Sequence, residues 1–459
     1  MSDTGLRLAR DKMRAAGVAP TAIEVFSHYY RELEAGATGL IRESTIEPLL
    51  DPPRLADVQV DEAAAHEALA RTAVLKLNGG LGTSMGMDKA KSLLPVRDGR
   101  SFLDLIVEQV QHVRRTHGVR LPLVLMNSFR TREDTLAALA RHEDLAVDDL
   151  PLDFLQNQEP KLLTSDLTPV SWPADPTLEW CPPGHGDLYT ALLASGVLRK
   201  LLDAGFRYAS VSNSDNLGAA PDPTIAGWFA ASGAPYAAEL CRRTAADRKG
   251  GHLAVRKADG RLILRDTAQT ADEEMDFFTD EHRHPFFHTN NLWFDLEQIA
   301  AALESRGAVL GLPLIRNTKT VDPTDADSPE VFQVETAMGA AIEVFEGSTA
   351  IVVGRERFLP VKTTNDLLLV RSDAYRLTEA RTLRLAVEKA PLVDLDKVYK
   401  TVGRFDQRFP AGPPSLREAT SLTVRGDWTF EAGVVARGDA TVRAEGSPGT
   451  VAAGTTIGG

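Results

Sequence analysis

A glycine-rich segment directly after a short apolar run is the clearest candidate in this 459-residue sequence for contact with phosphate groups. The apolar run 73–77 leads into residues 78–86, which contain four glycines, and Lys91 follows five residues after the last of them. The N–H groups of such a loop can point at a phosphate or a base, and a lysine beyond it can neutralise phosphate charge.

Two familiar phosphate-binding patterns do not match this segment. Three residues separate Gly82 from Gly86, one more than the dinucleotide-binding fingerprint allows. The P-loop requires a lysine directly after its last glycine, whereas Met87 stands there. The spacing therefore disfavours a dinucleotide-dependent oxidoreductase, and a glycine-rich turn without a ligand is the alternative interpretation.

The elements around this loop are predicted from alternating apolar and helical patterns. Apolar runs at 121–126 and 208–212 each end in polar residues, and the segments 102–113 and 188–202 have helical periodicity. This alternation predicts an α/β domain, in which helices cover both faces of a mostly parallel sheet. The polar residues 213–215 then fall at the carboxyl end of a strand.

The two ends of the chain differ from this central part. The N-terminal part reads as helical, with capping-box spacing between Thr21 and Glu24 and an apolar face that ends near Gly36. Near the C-terminus a Gly-Asp step recurs after 12 residues, which favours a few coils of a left-handed parallel β-helix over a meander of hairpins. The predicted domains are an N-terminal helical segment at 1–70 that packs on the core, a central domain at 71–380, and a linker with the β-helix at 381–459.

The composition excludes several classes of protein. A formal net charge of -13 argues against a protein that wraps nucleic acid or binds anionic membranes. Two cysteines exclude a disulfide scaffold and a zinc ribbon, and they favour a reducing compartment. The sequence has neither an apolar run of about 18 residues nor the core of a signal peptide. We therefore expect a cytoplasmic protein without nucleic-acid or membrane partners.

The glycine-rich segment, Leu-Asn-Gly-Gly-Leu-Gly-Thr, resembles the nucleotide-binding loop of the eukaryotic-type UTP–glucose-1-phosphate uridylyltransferases, or UDP-glucose pyrophosphorylases. Further motifs resemble this family and occur in its order: Met126-Asn127-Ser128-Phe129, Pro182-Pro183-Gly184-His185-Gly186-Asp187, Asn213-Ser214-Asp215-Asn216-Leu217-Gly218, Thr289-Asn290-Asn291-Leu292-Trp293, Glu335-Thr336-Ala337-Met338-Gly339-Ala340-Ala341 and Arg357-Phe358-Leu359-Pro360-Val361-Lys362. The resemblance implies a Rossmann-like nucleotidyltransferase domain with a mixed, mostly parallel sheet, an N-terminal helical segment and a C-terminal left-handed parallel β-helix.

The resemblance also implies a reaction, in which UTP and glucose 1-phosphate give UDP-glucose and pyrophosphate with Mg²⁺ as cofactor. The sugar phosphate would attack the α-phosphorus of UTP in line, without a covalent enzyme intermediate. Because the attacking phosphate is already anionic, no general base is needed. Catalysis then depends on holding two polyanions together and on neutralising the charge that develops.

The resemblance assigns a role to individual residues of this sequence. Lys91 and Lys362 match the family's catalytic lysines, which neutralise phosphate charge, and Asp215 matches its Mg²⁺ ligand. His185 would contact the sugar 1-phosphate, and Gln156 would read the uracil edge with its paired donor and acceptor. The other residues expected around the uridine and the sugar are Leu77, Asn78, Gly79, Gly80, Met126, Gly184, Asn213, Ser214, Asn290, Asn291 and Glu335.

Two alternative functions stay open from the sequence. A relative acting on N-acetylglucosamine 1-phosphate or galactose 1-phosphate would share the chemistry, although the Asn-Gly-Gly-Leu-Gly and Asn-Asn-Leu-Trp strings favour glucose. A catalytically silent nucleotide-binding regulator would be expected to lack Lys91, Lys362 or Asp215, and all three are present. The open ends of parallel coils suit end-to-end contacts, so a homo-oligomer formed through the C-terminal β-helix is a further expectation.

Overall fold

The computed structural model describes residues 2–244, 247–248, 250–443 and 448–459. Its helices in chain order are α1 (Ser2–Ala15), α2 (Pro20–Glu34), α3 (Glu62–Ala70), α4 (Phe102–His117), α5 (Arg132–Leu139), α6 (Asp187–Ala194), α7 (Val197–Asp203), α8 (Pro223–Ser232), α9 (Met275–Thr279), α10 (Leu296–Ser305), α11 (Thr364–Arg371) and α12 (Val402–Arg408). The strands up to the end of the central sheet are β1 (Ile46–Pro48), β2 (Thr72–Asn78), β3 (Pro95–Arg97), β4 (Arg100–Ser101), β5 (Leu123–Asn127), β6 (Asp153–Leu155), β7 (Glu159–Pro160), β8 (Leu162–Leu163), β9 (Trp180–Cys181), β10 (Tyr208–Asn213), β11 (Tyr236–Arg242), β12 (His252–Arg256), β13 (Leu262–Arg265), β14 (Phe286–Asp295), β15 (Leu314–Thr320), β16 (Glu330–Thr336) and β17 (Thr349–Val352). The strands that follow are β18 (Tyr375–Leu377), β19 (Leu383–Leu385), β20 (Leu392–Leu395), β21 (Ser415–Arg425), β22 (Trp428–Phe430), β23 (Val435–Arg443), β24 (Gly449–Val451) and β25 (Thr456–Ile457).

A mixed central sheet organises the chain, and its middle is parallel. The strands pair in the order β1-β12-β14-β10-β2-β5-β6, while β11 pairs with β14 and β17. Strand β2 runs parallel to both β10 and β5, and β5 runs parallel to β6, whereas β14 is antiparallel to β10. The register places Asn78 opposite Asn127, and Leu77 opposite Asn213. The α/β architecture predicted from the sequence is confirmed.

The structure shows that two helix predictions made from the sequence are wrong. The predicted single helix 188–202 is two helices, α6 and α7, because Gly196 adopts a left-handed conformation with φ of 75° between them. The capping box predicted at Thr21 is wrong, since α2 begins at Pro20 with Ala19 as its N-cap, and alanine has no side-chain acceptor. The predicted end of this helix is confirmed, with Gly36 at φ of 82° two residues beyond the last residue of α2.

The N-terminal helices α1 and α2 pack against a small sheet. Phe26 and Tyr30 of α2 lie in one buried cluster with Leu162, Leu314 and Val334. These last residues belong to β8, β15 and β16, which form a three-stranded antiparallel sheet. Ala9 and Met13 of α1 lie in the same cluster, so α1 and α2 cover one face of the sheet whose strand β16 ends in the first two residues of the predicted motif at 335–341. Among the described residues, no helix is long and apolar enough to cross a membrane.

The C-terminal strands stack in parallel. Strands β20, β21, β23 and β25 form one sheet and β22 and β24 another, and each of these neighbouring pairs is parallel. A meander of hairpins would make antiparallel neighbours, so the stacked arrangement is the one these strands adopt. The left-handed β-helix and the three domain boundaries stay predictions.

Candidate active site

The candidate active site lies at the carboxyl edge of the parallel strands β2, β5 and β10. Strands β10 and β5 pair with β2 on its two sides, so the connections from the central strands diverge at the carboxyl end of β2. Open α/β sheets bind ligands at such a switch point. Asn78 joins the three strand ends, because its Nδ2 donates to Asn127 Oδ1 at 2.8 Å and to Thr135 Oγ1 at 2.9 Å. Its Oδ1 accepts a hydrogen bond of 2.9 Å from Ser214 Oγ. The side chains of Asn78 and Ser214 therefore hold the carboxyl ends of the three strands together beneath the site.

The glycine-rich loop brings Lys91 onto the turn after β10. The Lys91 N–H donates to the carbonyl oxygen of Gly80 at 3.2 Å, and residues 81 and 90 form a β-bridge, so the loop closes on itself. From this position Lys91 Nζ donates to Asp215 Oδ2 at 2.7 Å. Both side chains are partly buried, at 17% and 20% exposure. The structure thus joins two residues that lie 124 positions apart in the sequence.

Lys362 lies beside the same turn. The Val361 N–H donates to the carbonyl oxygen of Asp215 at 3.3 Å, and Pro360 forms a β-bridge with Asn216. Lys362 itself is exposed and immediately precedes the Thr363 N-cap of α11. The turn that carries the predicted metal ligand is therefore contacted by Lys91 itself and by the backbone of the segment that carries Lys362.

A second wall is formed by Gln156 and the residue after it. The Gln156 N–H donates to the carbonyl oxygen of Asn127 at 2.8 Å, which continues the sheet edge beyond β6. Its side-chain amide lies against Gly79, where an added β-carbon would be 2.5 Å from Gln156 Oε1. The N–H and Nδ2 of Asn157 donate to the Asp187 carboxylate at 2.6 and 2.8 Å. Burial raises the pKa of Asp187 to about 7, although these two hydrogen bonds oppose the shift.

The turn that carries His185 is held against the end of β16. Gly184 has φ of 77°, and a β-carbon there would lie 2.6 Å from the Thr336 carbonyl oxygen, so glycine is required. The Gly186 N–H donates to that same carbonyl at 2.8 Å. The Met338 N–H donates to His185 Nδ1 at 2.9 Å, which leaves the ring proton of a neutral imidazole on Nε2. Desolvation by the surrounding protein lowers the pKa of His185, so the ring is a neutral donor.

Neighbouring residues of β14 divide between the site and the core. Asn290 is half-buried with φ of 60°, and its N–H donates to His288 Nδ1 at 3.1 Å. Burial lowers the pKa of His288 to about 4. Asn291 is buried, and both hydrogens of its amide are used inside the protein, at Glu239 Oε2 and the Arg357 carbonyl, each at 3.1 Å. Asn291 therefore positions other groups, whereas Asn290 is half-buried with its Oδ1 3.1 Å from His288 Nδ1.

Four further predicted residues take different places. Glu335 is partly buried next to Gly184, and burial raises its pKa while Lys319 opposes the shift. Asn213 is the half-buried last residue of β10. Leu77 is half-buried, and its carbonyl oxygen accepts a hydrogen bond of 3.1 Å from Ser214 N–H. Met126 is 2% exposed and packs in the hydrophobic core.

Two buried partners of this site, Glu239 and Asn216, had no role predicted from the sequence. Glu239 is a lone carboxylate in the buried run of β11 and is 1% exposed. A single acid inside an apolar strand signals a buried ion pair, because an unpaired charge there would be costly. The sequence offered that signal but no means of naming the partner.

The assembled groups are suited to binding anions. Lys91 contacts Asp215, the chain segment that carries Lys362 lies against the same turn, and His185 offers a neutral imidazole donor on the turn beside β16. Groups of these types bind and neutralise phosphate. Among the described residues, no group of three or more His, Cys, Asp or Glu side chains could hold a metal ion. Asp215 offers a single carboxylate, which is enough for Mg²⁺ when substrate phosphates and water supply the other ligands.

Comparison with known proteins agrees with this geometry. The family model described as UTP–glucose-1-phosphate uridylyltransferase matches residues 23–437. The chain belongs to the UTP–glucose-1-phosphate uridylyltransferase family. Members similar to it include the Hordeum vulgare enzyme, 39% identical over 409 residues, which are 88% of this chain and 84% of that protein. The Saccharomyces cerevisiae enzyme is 41% identical over 374 residues, covering 81% of this chain and 73% of that protein.

Solved structures of the family resemble this chain along nearly its whole length. The Trypanosoma brucei protein described as UDP-glucose phosphorylase superimposes with a TM-score of 0.89 at 42% identity, covering 99% of this chain and 98% of that one. A Leishmania major UDP-glucose pyrophosphorylase variant in complex with UDP-glucose gives a TM-score of 0.91 at 41% identity, with coverage of 99% and 98%. The resemblance of the sequence motifs to this uridylyltransferase family is therefore confirmed.

Proposed function

We propose that this protein transfers the uridylyl group of UTP to glucose 1-phosphate, giving UDP-glucose and pyrophosphate. The observation that carries the proposal is the contact of Lys91 with Asp215 at 2.7 Å, with Lys362 beside the same turn. Membership of the uridylyltransferase family and the similarity to a structure in complex with UDP-glucose supply the substrates.

In the proposed reaction an oxygen of the sugar phosphate forms a bond to the α-phosphorus of UTP. The bond from this phosphorus to the bridging oxygen breaks, and pyrophosphate leaves with the electron pair. No proton is transferred, since the nucleophile is already ionised. The protein contributes by holding two polyanions in line and by neutralising their charge.

We assign the binding roles from the placement of the side chains. Gln156, packed on Gly79, presents its amide to the uracil edge, and the loop around Gly80 approaches the nucleotide through its backbone. Lys91 neutralises the triphosphate and the leaving pyrophosphate. His185 donates from Nε2 to the sugar phosphate, because its Nδ1 is occupied by the Met338 N–H.

We assign other residues to the sugar and to its phosphate. Lys362 serves the α-phosphate or the sugar phosphate, and Asn213, Asn290 and Glu335 serve the sugar hydroxyls. Gly184 lines the uridine through its backbone. The side chains of Asn78, Met126 and Asn291 lie inside the protein and support this surface from behind.

We further propose Mg²⁺ as the cofactor, with Asp215 as its protein ligand. Carboxylate oxygen is a hard donor of the kind Mg²⁺ prefers, and Asp215 is partly exposed at the rim of the site. When bound, the ion would supply charge neutralisation at the phosphate oxygens.

We also propose a cytoplasmic location, supported by two buried free cysteines. Assembly through the C-terminal strands is a further proposal, supported by the position of β25 at the end of its sheet.

The decisive test is pyrophosphate release from UTP and Mg²⁺ with glucose, galactose or N-acetylglucosamine 1-phosphate, next to a blank without sugar. We expect release with glucose 1-phosphate far above the other sugars. Release with another sugar instead would keep the chemistry and change the substrate. Binding of UTP without release for any sugar would contradict catalysis and favour a regulatory protein.

A pair of lysine variants tests the role of the site in this assay. Lys91→Ala should lower turnover by about 100-fold or more, since a preorganised charge on the reacting phosphates is lost. Lys89→Ala removes an exposed lysine two residues away and should leave turnover within about twofold of the parent protein. Equal activity of both variants would contradict the assigned role of Lys91.

A further inference from the structure

A fully buried ion pair lies behind the turn that carries Asp215. Glu239 in β11 is 1% exposed, and its carboxylate accepts from Arg357 Nε at 2.7 Å and from Arg357 Nη2 at 2.8 Å. Trp293 Nε1 donates to the same carboxylate at 3.0 Å. Burial alone would raise the pKa of Glu239, but Arg357 and the hydrogen bonds more than offset this, and the pKa lies below its ordinary value. Glu239 is therefore a buried carboxylate anion with full hydrogen bonding.

The backbone of Arg357 extends this network toward the site. Its carbonyl oxygen accepts from Asn216 Nδ2 and Asn291 Nδ2, each at 3.1 Å. Asn216 Oδ1 in turn accepts from the Leu359 N–H at 2.8 Å. Asn216 is the residue directly after Asp215, and both its amide nitrogen and its amide oxygen are thus bonded to the backbone of residues 357–359.

The contacts then reach the reacting groups. Residues 216 and 360 form a β-bridge, and the Val361 N–H donates to the Asp215 carbonyl oxygen at 3.3 Å. Lys362 is the next residue along the chain. The segment 357–362 is therefore held against the turn 215–216 at several successive residues, beginning with the anchored Arg357.

We propose that Glu239 is a positioning residue for uridylyl transfer, which fixes the Lys362 segment against the Asp215 turn through its bidentate ion pair with Arg357. This inference rests on the proposed function, since it concerns the geometry of that reaction. Buried ion pairs add little net stability compared with apolar packing, but they hold one geometry when fully hydrogen-bonded. A planar guanidinium bound at two atoms fixes orientation as well as distance.

Glu239→Gln tests the inference in the full-length protein. The glutamine keeps the shape but replaces one acceptor oxygen with a donor, so Arg357 loses its carboxylate. We expect the turnover number to fall by about 100-fold, because small displacements of positioned groups have effects of this size. The dissociation constant for UTP should change by less than about threefold, because Gln156 and the backbone of Gly79 and Gly80 lie outside this network, although Lys91 is bonded to the Asp215 turn.

Two further variants separate positioning from loss of stability. Arg357→Lys keeps the charge without the two-point contact and should lose about tenfold in turnover. Glu43→Gln is the matched control, because Glu43 is also buried and accepts from Arg265 and Arg283. This control should be destabilised in urea like Glu239→Gln, yet keep turnover within about twofold.

The outcomes are distinct. Turnover of Glu239→Gln close to that of the parent, a parallel loss of UTP affinity, or an equal loss of turnover in Glu43→Gln would each overturn the inference. If Glu239→Gln does not fold, Arg357→Lys decides by the same criteria. A parent protein without turnover would refute the proposed function and the inference together, whereas an active parent with an unaffected Glu239→Gln variant refutes the inference alone.

Discussion

Lys76 is a buried lysine directly beneath the glycine-rich loop, and it should make the stability of the protein depend on pH. It is 1% exposed, and its Nζ donates only to neutral oxygens, Ser212 Oγ at 2.6 Å and the Ala219 carbonyl at 2.9 Å. Burial and the charge of Arg357 together lower its pKa to about 7, although Glu239 opposes the shift. The folded protein therefore releases this proton near neutral pH.

The size and sign of the effect follow from the two pKa values of Lys76. In the unfolded chain the lysine has its ordinary pKa of 10.5. Between about pH 7 and pH 10.5 the unfolded state then binds one proton more than the folded state, so the free energy of unfolding rises with pH. Each pH unit is worth about 1.4 kcal/mol, which gives a gain of about 2 kcal/mol between roughly pH 7 and pH 9. Below pH 7 both states are protonated and the contribution is constant.

Urea unfolding of the parent and of Lys76→Met at a series of pH values measures this contribution. Methionine fills most of the volume of the lysine stem, and the two oxygens left without a donor cost the same at every pH. Asp187, which also titrates near pH 7, is present in both proteins and cancels in the difference. We expect the parent to gain about 2 kcal/mol on the variant as the pH rises from about 7 to 9.

A difference that stays flat with pH would refute the reasoning, because it would mean that the folded protein keeps the proton on Lys76. Lys89→Met is the control, since Lys89 is exposed on the same loop. For that variant the difference from the parent should not change with pH.

Three further predictions follow from other parts of the structure. Gly184→Ala places a β-carbon 2.6 Å from the Thr336 carbonyl oxygen at a positive φ, so thermal unfolding should show a loss of about 2 kcal/mol, and an unchanged midpoint would contradict this. Burial raises the pKa of Cys241 to about 12 and also raises that of Cys181, so a thiol reagent near pH 8 should label neither cysteine until urea is added. Rapid labelling of the folded protein would contradict this. Arg97 donates to three carbonyl groups at and after the end of α11, and Arg97→Ala should lose about 2 kcal/mol in urea unfolding, which an unshifted transition would exclude.

The sequence was sufficient for the elements that form the floor of the site. Apolar runs placed β2, β5 and β10, and the parallel arrangement then brought their polar ends to one edge. Because the loop after β2 and the turn after β10 both lie at this edge, Lys91 and Asp215 come into contact there. What periodicity could not supply was the break at Gly196, since a glycine within a helical pattern is often tolerated.

The direction of individual side chains was beyond the sequence. Asn290 and Asn291 are neighbours on β14, but Asn290 has a positive φ of 60° and the pairing of β14 with β11 shifts register at this point. This local irregularity, which regular strand alternation does not predict, leaves Asn290 half-buried and Asn291 buried in the Glu239 network. Glu239 and Arg357 lie 118 positions apart, so their pairing depends on the strand order and not on any local pattern.

These buried groups bear on how a protein with a net charge of -13 can bind two polyanions. The charges of Glu239 and Arg357 cancel within one ion pair, and Lys76 beneath the loop has its pKa lowered to about 7 by burial. The layer below the site consequently contributes little net charge. In the proposed site, Lys91 and Lys362 then face two carboxylates, Asp215 and Glu335, and burial raises the pKa of Glu335, which shifts it toward its neutral form. Because Lys91 Nζ already donates to Asp215 at 2.7 Å, a phosphate group bound there in the proposed reaction would compete with Asp215 for this lysine.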